Sequence, residues 1–326
     1  MPQGSRARAS GLAAVTTRGS KTGARPIPSA TTGPGPRAES SRPTDPDPLV
    51  GHPAARLRQL GLRPRRGLSQ SFLVDAGVAR AIVDAAELDP GRDHVLEVGP
   101  GLGILTGLLV RQAQRVVAVE LDANLAQHVR AECPARNLTV HTGDILTLDP
   151  AAFFDAPYVV VANLPYHITS PVLRLLLAAG PPYVRRLVVM VQREVAERIA
   201  ARPGKLSALA VGIQAQAVVR PVRVVAAGAF YPRPRVDSTV LALQPLPDAE
   251  RAVPRQDVVA FTAFVHAGFA QPRKHLVNSL AQGLATDKLA ALALLDAHGV
   301  DPTRRPQDLT ITEWAALFRT FATGTG

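Results

Sequence analysis

The chain is predicted to fold as an α/β protein with a mostly parallel, doubly wound sheet, followed by a small all-helical domain. Three features of the sequence predict this. Short apolar runs of strand length alternate with helical patterns from about residue 70 to about residue 200. Residues 217–243 are β-branched runs broken by proline, the pattern of paired antiparallel strands. After about Pro247 only helical periodicity remains.

The elements follow in order. Residues 67–73 read as an extended loop, and Asp75 can cap a helix over 76–86 with Val78, Ile82 and Val83 on one face. A strand over 95–98 runs into the glycine loop Gly99-Pro-Gly-Leu-Gly103, and a helix over 104–113 follows. Strand 116–119 is closed by Glu120, helix 124–133 comes next, and strand 138–141 ends at Gly143-Asp144. The buried strand 158–162 ends at Asn163. Thr169 or Ser170 is placed to cap the next helix, with Pro171 at its first position. Strand 187–191 and helix 194–201 complete the alternating part. Helices are expected over 258–269, 274–284, 288–298 and 313–321, the last opened by a Thr310/Glu313 capping box. The domain reading is a disordered basic arm over 1–60, a catalytic domain over 61–247 and a helical domain over 248–326. The arm is rich in Ser, Thr, Pro, Gly and Arg and has no apolar periodicity. Its composition also suits a transit peptide or an upstream start codon; it has no secretory core.

Composition narrows the class. With 46% hydrophobic but only 4% aromatic residues, Ala, Val and Leu must build the core. No apolar run approaches the roughly 20 residues of a membrane helix, so no membrane partner is expected. Cys133 is the only cysteine, which excludes an internal disulfide and leaves no thiolate metal site. A reducing cytoplasm fits. The net charge of +11 is unevenly spread. Residues 1–66 hold 12 Lys/Arg and 3 Asp/Glu, and residues 67–184 hold 7 and 12. Residues 185–235 hold 10 and 2, and residues 236–326 hold 8 and 9. The 185–235 segment is therefore a candidate for a phosphate backbone; a solvated Arg-rich surface is the plain alternative.

Three motifs carry chemistry. The first is Glu97-Val-Gly99-Pro-Gly101-Leu-Gly103 with Glu120 at the end of the following strand. Glycines after a strand let the backbone approach a ligand and turn tightly into a helix. A carboxylate at Glu120 can accept both ribose hydroxyls of a nucleoside cofactor. This suits NAD as well as S-adenosylmethionine. Glu97, able to face the positive methionine end, and Asp144, able to accept from the adenine amine, favour the methyl donor.

The second motif is Asn163-Leu164-Pro165-Tyr166 at a strand's carboxyl end, where ligands of such sheets bind. The N6 amine of adenine is a poor nucleophile because its lone pair is delocalised into the ring. The Asn163 side-chain oxygen and the Leu164 carbonyl can hold its two N–H bonds and aim the lone pair at a methyl group. Pro165 fixes the backbone, and Tyr166 offers a stacking ring worth about 1–3 kcal/mol. An Asn–Pro turn of no chemical consequence is the plain alternative. The third motif is Phe230-Tyr-Pro-Arg233-Pro-Arg235-Val-Asp-Ser238. Phe230 can pinch a base from the face opposite Tyr166 or sit in the core of a Pro-rich hairpin, and Arg233 and Arg235 suit phosphates.

Together with Ser69-Gln-Ser71-Phe-Leu73, Gln192-Arg-Glu-Val-Ala196, Leu206-Ser207 and Arg273-Lys274 with Asn278-Ser-Leu280, these segments resemble one family. The chain is similar to the KsgA/RsmA-type 16S rRNA adenine N6,N6-dimethyltransferases from about Arg63 to Phe321. The resemblance implies a Rossmann-like class I methyltransferase sheet with S-adenosyl-L-methionine as cofactor. It implies dimethylation of two adjacent adenines near the 3′ end of 16S rRNA in an assembling small subunit, by a cytoplasmic, monomeric enzyme without metal. Donor contacts carry over to Ser71, Leu73, Gly99, Glu120, Asp144 and Asn163, joined by Glu97 and Gly101 from the glycine motif. Target-base contacts carry over to Asn163, Leu164, Tyr166 and Phe230.

The chain departs from the family pattern in three places. Ser69 and Ser71 stand where Gly and Asn are usual, Pro272 replaces the first Arg of an Arg-Arg-Lys triplet, and His167 replaces Asn. Rival readings are a 23S rRNA adenine methyltransferase of the macrolide-resistance type, a non-catalytic RNA-binding assembly factor and, third, a DNA adenine methyltransferase. Asp237-Ser238 and the Arg273-Lys274…Asn278 segment favour the 16S reading over the first, and intact Glu120, Asp144 and Asn163–Tyr166 favour it over the second.

Overall fold

The computed structural model describes residues 53–61 and 70–324. Most of the expected arm, residues 1–52, and the first part of the 67–73 loop, residues 67–69, lie outside the described residues. The strands are β1 (Phe72–Leu73), β2 (His94–Val98), β3 (Arg115–Glu120), β4 (Leu138–Thr142), β5 (Tyr158–Asn163), β6 (Val184–Gln192), β7 (Ala217–Val225), β8 (Phe230–Tyr231) and β9 (Ser238–Pro245). Among the described residues, seven of them form one sheet in the order β4-β3-β2-β5-β6-β9-β7. The first five of that order are parallel, and β9 runs antiparallel to both β6 and β7. The chain leaves β2 toward β3 on one side, and leaves β5 toward β6 on the other. A crevice opens at this switch between β2 and β5. β1 and β8 form a separate antiparallel ribbon, with Phe72 opposite Tyr231 and Leu73 opposite Phe230.

Side chains alternate across the sheet with the period of two that strands impose. Leu96 and Val98 pack on one face with Val172, Leu173 and Leu176 of α5 (Thr169–Ala178). Val95 packs on the other with Ile82 and Val83 of α2 (Ala76–Ala85) and Leu109 of α3 (Thr106–Gln112). Asp75 caps α2 as expected, accepting from Val78 N at 2.9 Å. Asp122 does the same for α4 (Ala123–Glu132), accepting from Asn124 N at 2.9 Å. The sheet, the alternation and the C-terminal helices agree with the sequence reading.

Four local expectations are corrected. Order begins before Arg63: α1 (Pro53–Gln59) is helical, so its residues do not belong to a disordered arm. Leu57 is buried against Phe72, Leu102 and Leu125, and Arg56 reaches Glu132 at 2.7 Å. Two turns hold too few apolar residues to register as a period. Neither Thr169 nor Ser170 caps α5, and Pro171 is its third residue, not its first. A single 3-10 turn over Tyr166–Ile168 runs straight into the helix, which puts Ile168, with no side chain able to cap, at the N-cap position. The helices expected from 104, 274 and 313 start at Thr106, Leu276 and Ile311. Lastly, α7 (Ala208–Gln214), capped by Ser207, follows α6 (Arg193–Ile199) and was not expected. Its sequence is apolar all round and lacks a polar face to mark a helix.

That all-round apolarity has a use. Ile213 of α7 joins the sheet's core, and Ala210 and Val211 join the core of the C-terminal helices. Those helices are α8 (Val258–Gly268), α9 (Leu276–Gly283), α10 (Lys288–Asp296) and α11 (Ile311–Gly324). Trp314 sits at their centre with no exposed surface. The Thr310/Glu313 box opens α11, with Thr310 N donating to Glu313 Oε2 at 2.7 Å and Glu313 N to Thr310 Oγ1 at 3.1 Å. The closest approach is at Gly283, where an added Cβ would stand 1.9 Å from the backbone oxygen of Ala267. Backbone cannot move aside as a side chain can. Gly283→Ala is therefore expected to cost about 3 kcal/mol, the upper end of overpacking. Denaturant unfolding should show a lower midpoint at unchanged slope.

Candidate active site

The switch between β2 and β5 holds a groove of two lobes that share Gln70, Gly99, Glu120 and Pro165. The first lobe, about 900 Å³ with its open mouth, follows the ends of β3 and β4 and is lined by Leu121, Asp122, Asp144, Ile145 and His167. The second, about 760 Å³, lies over the ends of β2 and β5 and takes in Ser71, Leu73, Gly101, Asn163, Leu164, Tyr166 and Phe230. Of the site residues expected from sequence, all but Glu97 line one lobe or both.

Backbone shape sets the floor. Gly99 and Gly101 have φ of +68° and +58°, a region glycine enters without strain. A Cβ at Gly99 would meet nothing within 4 Å, so any side chain there would stand in the groove. A Cβ at Gly101 would come within 3.1 Å of the Phe72 ring. Glu120, 6% exposed, fixes this loop by accepting from Gly101 N at 3.1 Å and from Asp122 N at 3.0 Å. Burial pushes its carboxyl above the usual range. Asp144 accepts from Leu146 N at 2.9 Å through one oxygen.

Glu97 lies beneath the groove and does not line it. It is 1% exposed, and Thr106 Oγ1 donates to its Oε2 at 2.7 Å. Its Oε1 is buried without a hydrogen-bond partner. Burial, reinforced by the nearby Glu120 charge, raises its pKa to about 8. Cys133 packs against the same loop, 3.4 Å from where a Gly103 Cβ would be, and burial pushes its thiol up to about 11.

In the second lobe Asn163 Nδ2 donates to the Ser71 backbone oxygen at 3.4 Å. Ser71 thus meets Asn163 through its main chain, where its shorter side chain makes no difference. The Asn163 amide oxygen keeps its lone pairs. Leu164 N donates to Met190 O of β6 at 3.1 Å, and Ile168 N closes a turn on Pro165 O at 3.1 Å. Tyr166 is held by its hydroxyl, 3.1 Å from Ser238 Oγ at the start of β9. Phe230 satisfies both readings of it: it is 5% exposed within the core cluster of α2 and also forms groove wall. Gln70, Leu121, Ile145 and Ser238 are residues the sequence reading missed. Leu121 and Ile145 each directly follow a strand-end acid, which was the available signal; Gln70 and Ser238 lay inside recognised motifs.

Among the described residues, the groove's lining contains Glu120, Asp122 and Asp144 and no Lys or Arg. The basic 185–235 segment is not one patch either. Arg185 pairs with Asp93 at 2.7 Å, Arg186 with Glu87 at 2.5 Å and Arg193 with Glu197 at 2.9 Å. Arg198, Arg220, Arg223, Arg233 and Arg235 are exposed. No cluster of three or more metal-ligating side chains occurs among the described residues, and no described helix is long and apolar enough to cross a membrane.

A doubly wound sheet with a glycine-floored, acid-lined groove at its switch point defines a Rossmann-like methyltransferase. The fold is shared with a dimethyladenosine transferase from Plasmodium falciparum (TM-score 0.64, 23% identity, 78% of this chain and 98% of that one). It is also similar to the 23S rRNA methyltransferase ErmE (TM-score 0.60, 28% identity, 76% of this chain and 98% of that one). The chain belongs to the ribosomal RNA adenine dimethylase family, whose model matches residues 61–323. It is 43% identical to a ribosomal RNA small subunit methyltransferase A of Dehalococcoides mccartyi, covering 78% of this chain and 88% of that protein. It is 39% identical to the protein of the same name in Shouchella clausii, covering 80% and 90%.

The buried Glu97 carboxyl makes stability depend on pH. Its folded pKa of about 8 exceeds the ordinary 4.5, so the folded state binds the proton more tightly. This favours folding fully below about pH 4.5, and the benefit is lost as pH rises to about 8. Glu97→Gln is expected to flatten that decline, which approaches about 1.4 kcal/mol per pH unit. Unfolding at pH 5, 6.5 and 8 checks it; parallel curves for the two proteins would contradict it.

Proposed function

We propose that the enzyme uses S-adenosylmethionine to dimethylate N6 of two adjacent adenines near the 3′ end of small-subunit rRNA. The observation that carries this is the setting of Asn163. Its amide nitrogen is engaged by Ser71, its oxygen is left to accept, and Tyr166 and Phe230 line the same lobe. The names of the relatives support the small subunit over the large.

The residues fit the methyl donor better than NAD. Among the described residues, three carboxylates and no Lys or Arg line the groove, which suits a ligand carrying a sulfonium and an ammonium and opposes a pyrophosphate. Glu120 and Asp144 would hold the ribose and adenine, with Leu121 and Ile145 against the ring. Gly99, Gly101, Ser71 and Leu73 would shape the methionine end, with Glu97, whose raised pKa leaves it largely protonated at neutral pH, beneath the loop. When bound, the cofactor supplies a methyl group on a sulfonium leaving group, so no strong base is needed.

The chain's task is positioning. The Asn163 oxygen and the Leu164 carbonyl accept the two N6 hydrogens, and Pro165 keeps that carbonyl fixed. Tyr166 and Phe230 hold the ring. One N6 proton is lost at each transfer; both acceptors are too weakly basic to retain it, and it passes to water. After two transfers no N6 hydrogen remains, so both acceptors lose their partner and the product is released. We further read residues 61–247 as the donor-binding domain and 248–326 as a helical domain for the assembling subunit. The protein is read as a cytoplasmic monomer.

Incubation with labelled S-adenosylmethionine and small subunits lacking the dimethyladenines should place label on those adenines. Label on the large-subunit RNA would overturn the reading. Asn163→Ala is expected to abolish transfer while donor affinity stays within about tenfold, or about 1.4 kcal/mol. Ser238→Ala and Tyr166→Phe should each slow transfer by about threefold to tenfold, the loss of about one hydrogen bond. In single-turnover assays the double variant should be no slower than the worse single one.

A further inference from the structure

A second concavity lies beside the active groove, between α5, α6, α7 and α8. It encloses about 600 Å³, and its polar lining is Ser170, Arg174, Arg198, Thr262 and His266. All five can donate hydrogen bonds, and no carboxylate lines the cavity. Among the described residues, neither Arg174 nor Arg198 has an ion-pair partner, unlike Arg185, Arg186 and Arg193 nearby in sequence. The floor is apolar, with Gly212 of α7 facing Thr262 of α8: a Cβ there would lie 3.7 Å from Thr262 Oγ1, an ordinary contact distance.

Its place in the fold ties it to the active site. α5 starts directly after the Asn163–Tyr166 turn, and Ser170 is its second residue. Arg174 lies about 6 Å further along the same helix. α6 starts directly after Gln192, which pairs with Ser238, the residue that holds Tyr166. Both arginine-bearing helices therefore grow from strand ends that position the target base.

The geometry points to a binding site for phosphodiester groups of the rRNA strand flanking the target adenines. This rests on the reading of the protein as an rRNA adenine dimethylase. Two guanidiniums facing one concavity supply forked donors suited to phosphate oxygens. Ser170, Thr262 and His266 supply neutral donors along the walls. The apolar floor limits competing water. The site is joined to the Asn163–Tyr166 turn through the first turn of α5.

The test uses the full chain and two variants of equal charge change: Arg174→Ala/Arg198→Ala, and Arg111→Ala/Arg136→Ala at the opposite edge of the sheet. Binding of a protein-free RNA hairpin with two adjacent adenines in its loop is measured against salt. The groove variant should bind at least tenfold more weakly and lower the log–log salt slope by about 0.7–1.4, one to two phosphate contacts. Arg174→Lys/Arg198→Lys should restore most of that slope. S-adenosylmethionine affinity and melting temperature should stay at wild-type values. An unchanged slope, or an equal loss in the Arg111/Arg136 variant, would overturn the proposal. So would a loss seen with whole subunits but not with the hairpin, which would make the occupant a protein. Wild-type methylation of the small-subunit adenines is the internal check. Its absence would count against the rRNA reading itself, whereas intact methylation with an unaltered groove variant would count against the groove alone.

Discussion

The carboxylate of Glu120 spans two strand ends, and the geometry of the groove is measured from it. One oxygen accepts from Gly101 N and the other from Asp122 N, joining the glycine loop after β2 to the start of α4 after β3. The consequences pass along the chain by contact. Gly101, held at its positive φ, lies against Phe72. Phe72 belongs to β1, β1 pairs with β8, and β8 carries Phe230. The residue suited to a ribose and the ring suited to a target base are thus linked through one loop and one short ribbon. Few of these steps have slack, because each uses backbone or a buried ring.

Electrostatics divide the molecule by sign. Burial raises the proton affinity of both Glu97 and Glu120, and the Glu120 charge raises that of Glu97 further, an arrangement that costs stability unless a cation arrives. Among the described residues, arginines are absent from the groove's lining, and several on the surface are neutralised by carboxylates. Exposed arginines remain where the chain leaves the sheet, on α5, α6 and the loop before β9. Under the proposed function, a cationic small molecule and a polyanion would meet surfaces of opposite character within one protein.

Much of this was legible in the sequence, for definite reasons. Strands buried on both faces read as unbroken Val and Leu runs, and each ends on a residue of chemical use: Val98 before Gly99, then Glu120 and Asn163. Asp75 and the Thr310/Glu313 pair announced their helices because capping needs those side chains at fixed offsets. What stayed hidden depends on contacts distant in sequence. Leu57 is one apolar residue in two turns, and only Phe72, Leu102 and Leu125 make it a core residue. The α7 helix shows no polar face because it lies between two cores. Glu97 stood in the right motif, yet alternation along β2 turns it down toward Thr106 and away from the groove lining. Summed charge over 185–235 has the sign an RNA partner would need but says nothing of its geometry, since three of those arginines are spent on Asp93, Glu87 and Glu197.

The reversed direction of β9 has an architectural consequence. In a purely parallel sheet, every loop at the carboxyl edge comes after a strand and leads into a crossover helix. Because β9 runs against β6, the loop that precedes it arrives at that same edge, with Ser238 beside Gln192. Residues 226–237 are thereby a hairpin cassette clamped at both ends by β7 and β9. Its length and sequence can change without altering any crossover of the parallel strands. What cannot change freely is β8: its pairing with β1 places Phe230 on the ribbon that abuts the glycine loop, so the two sides of the groove are tied at that one seam.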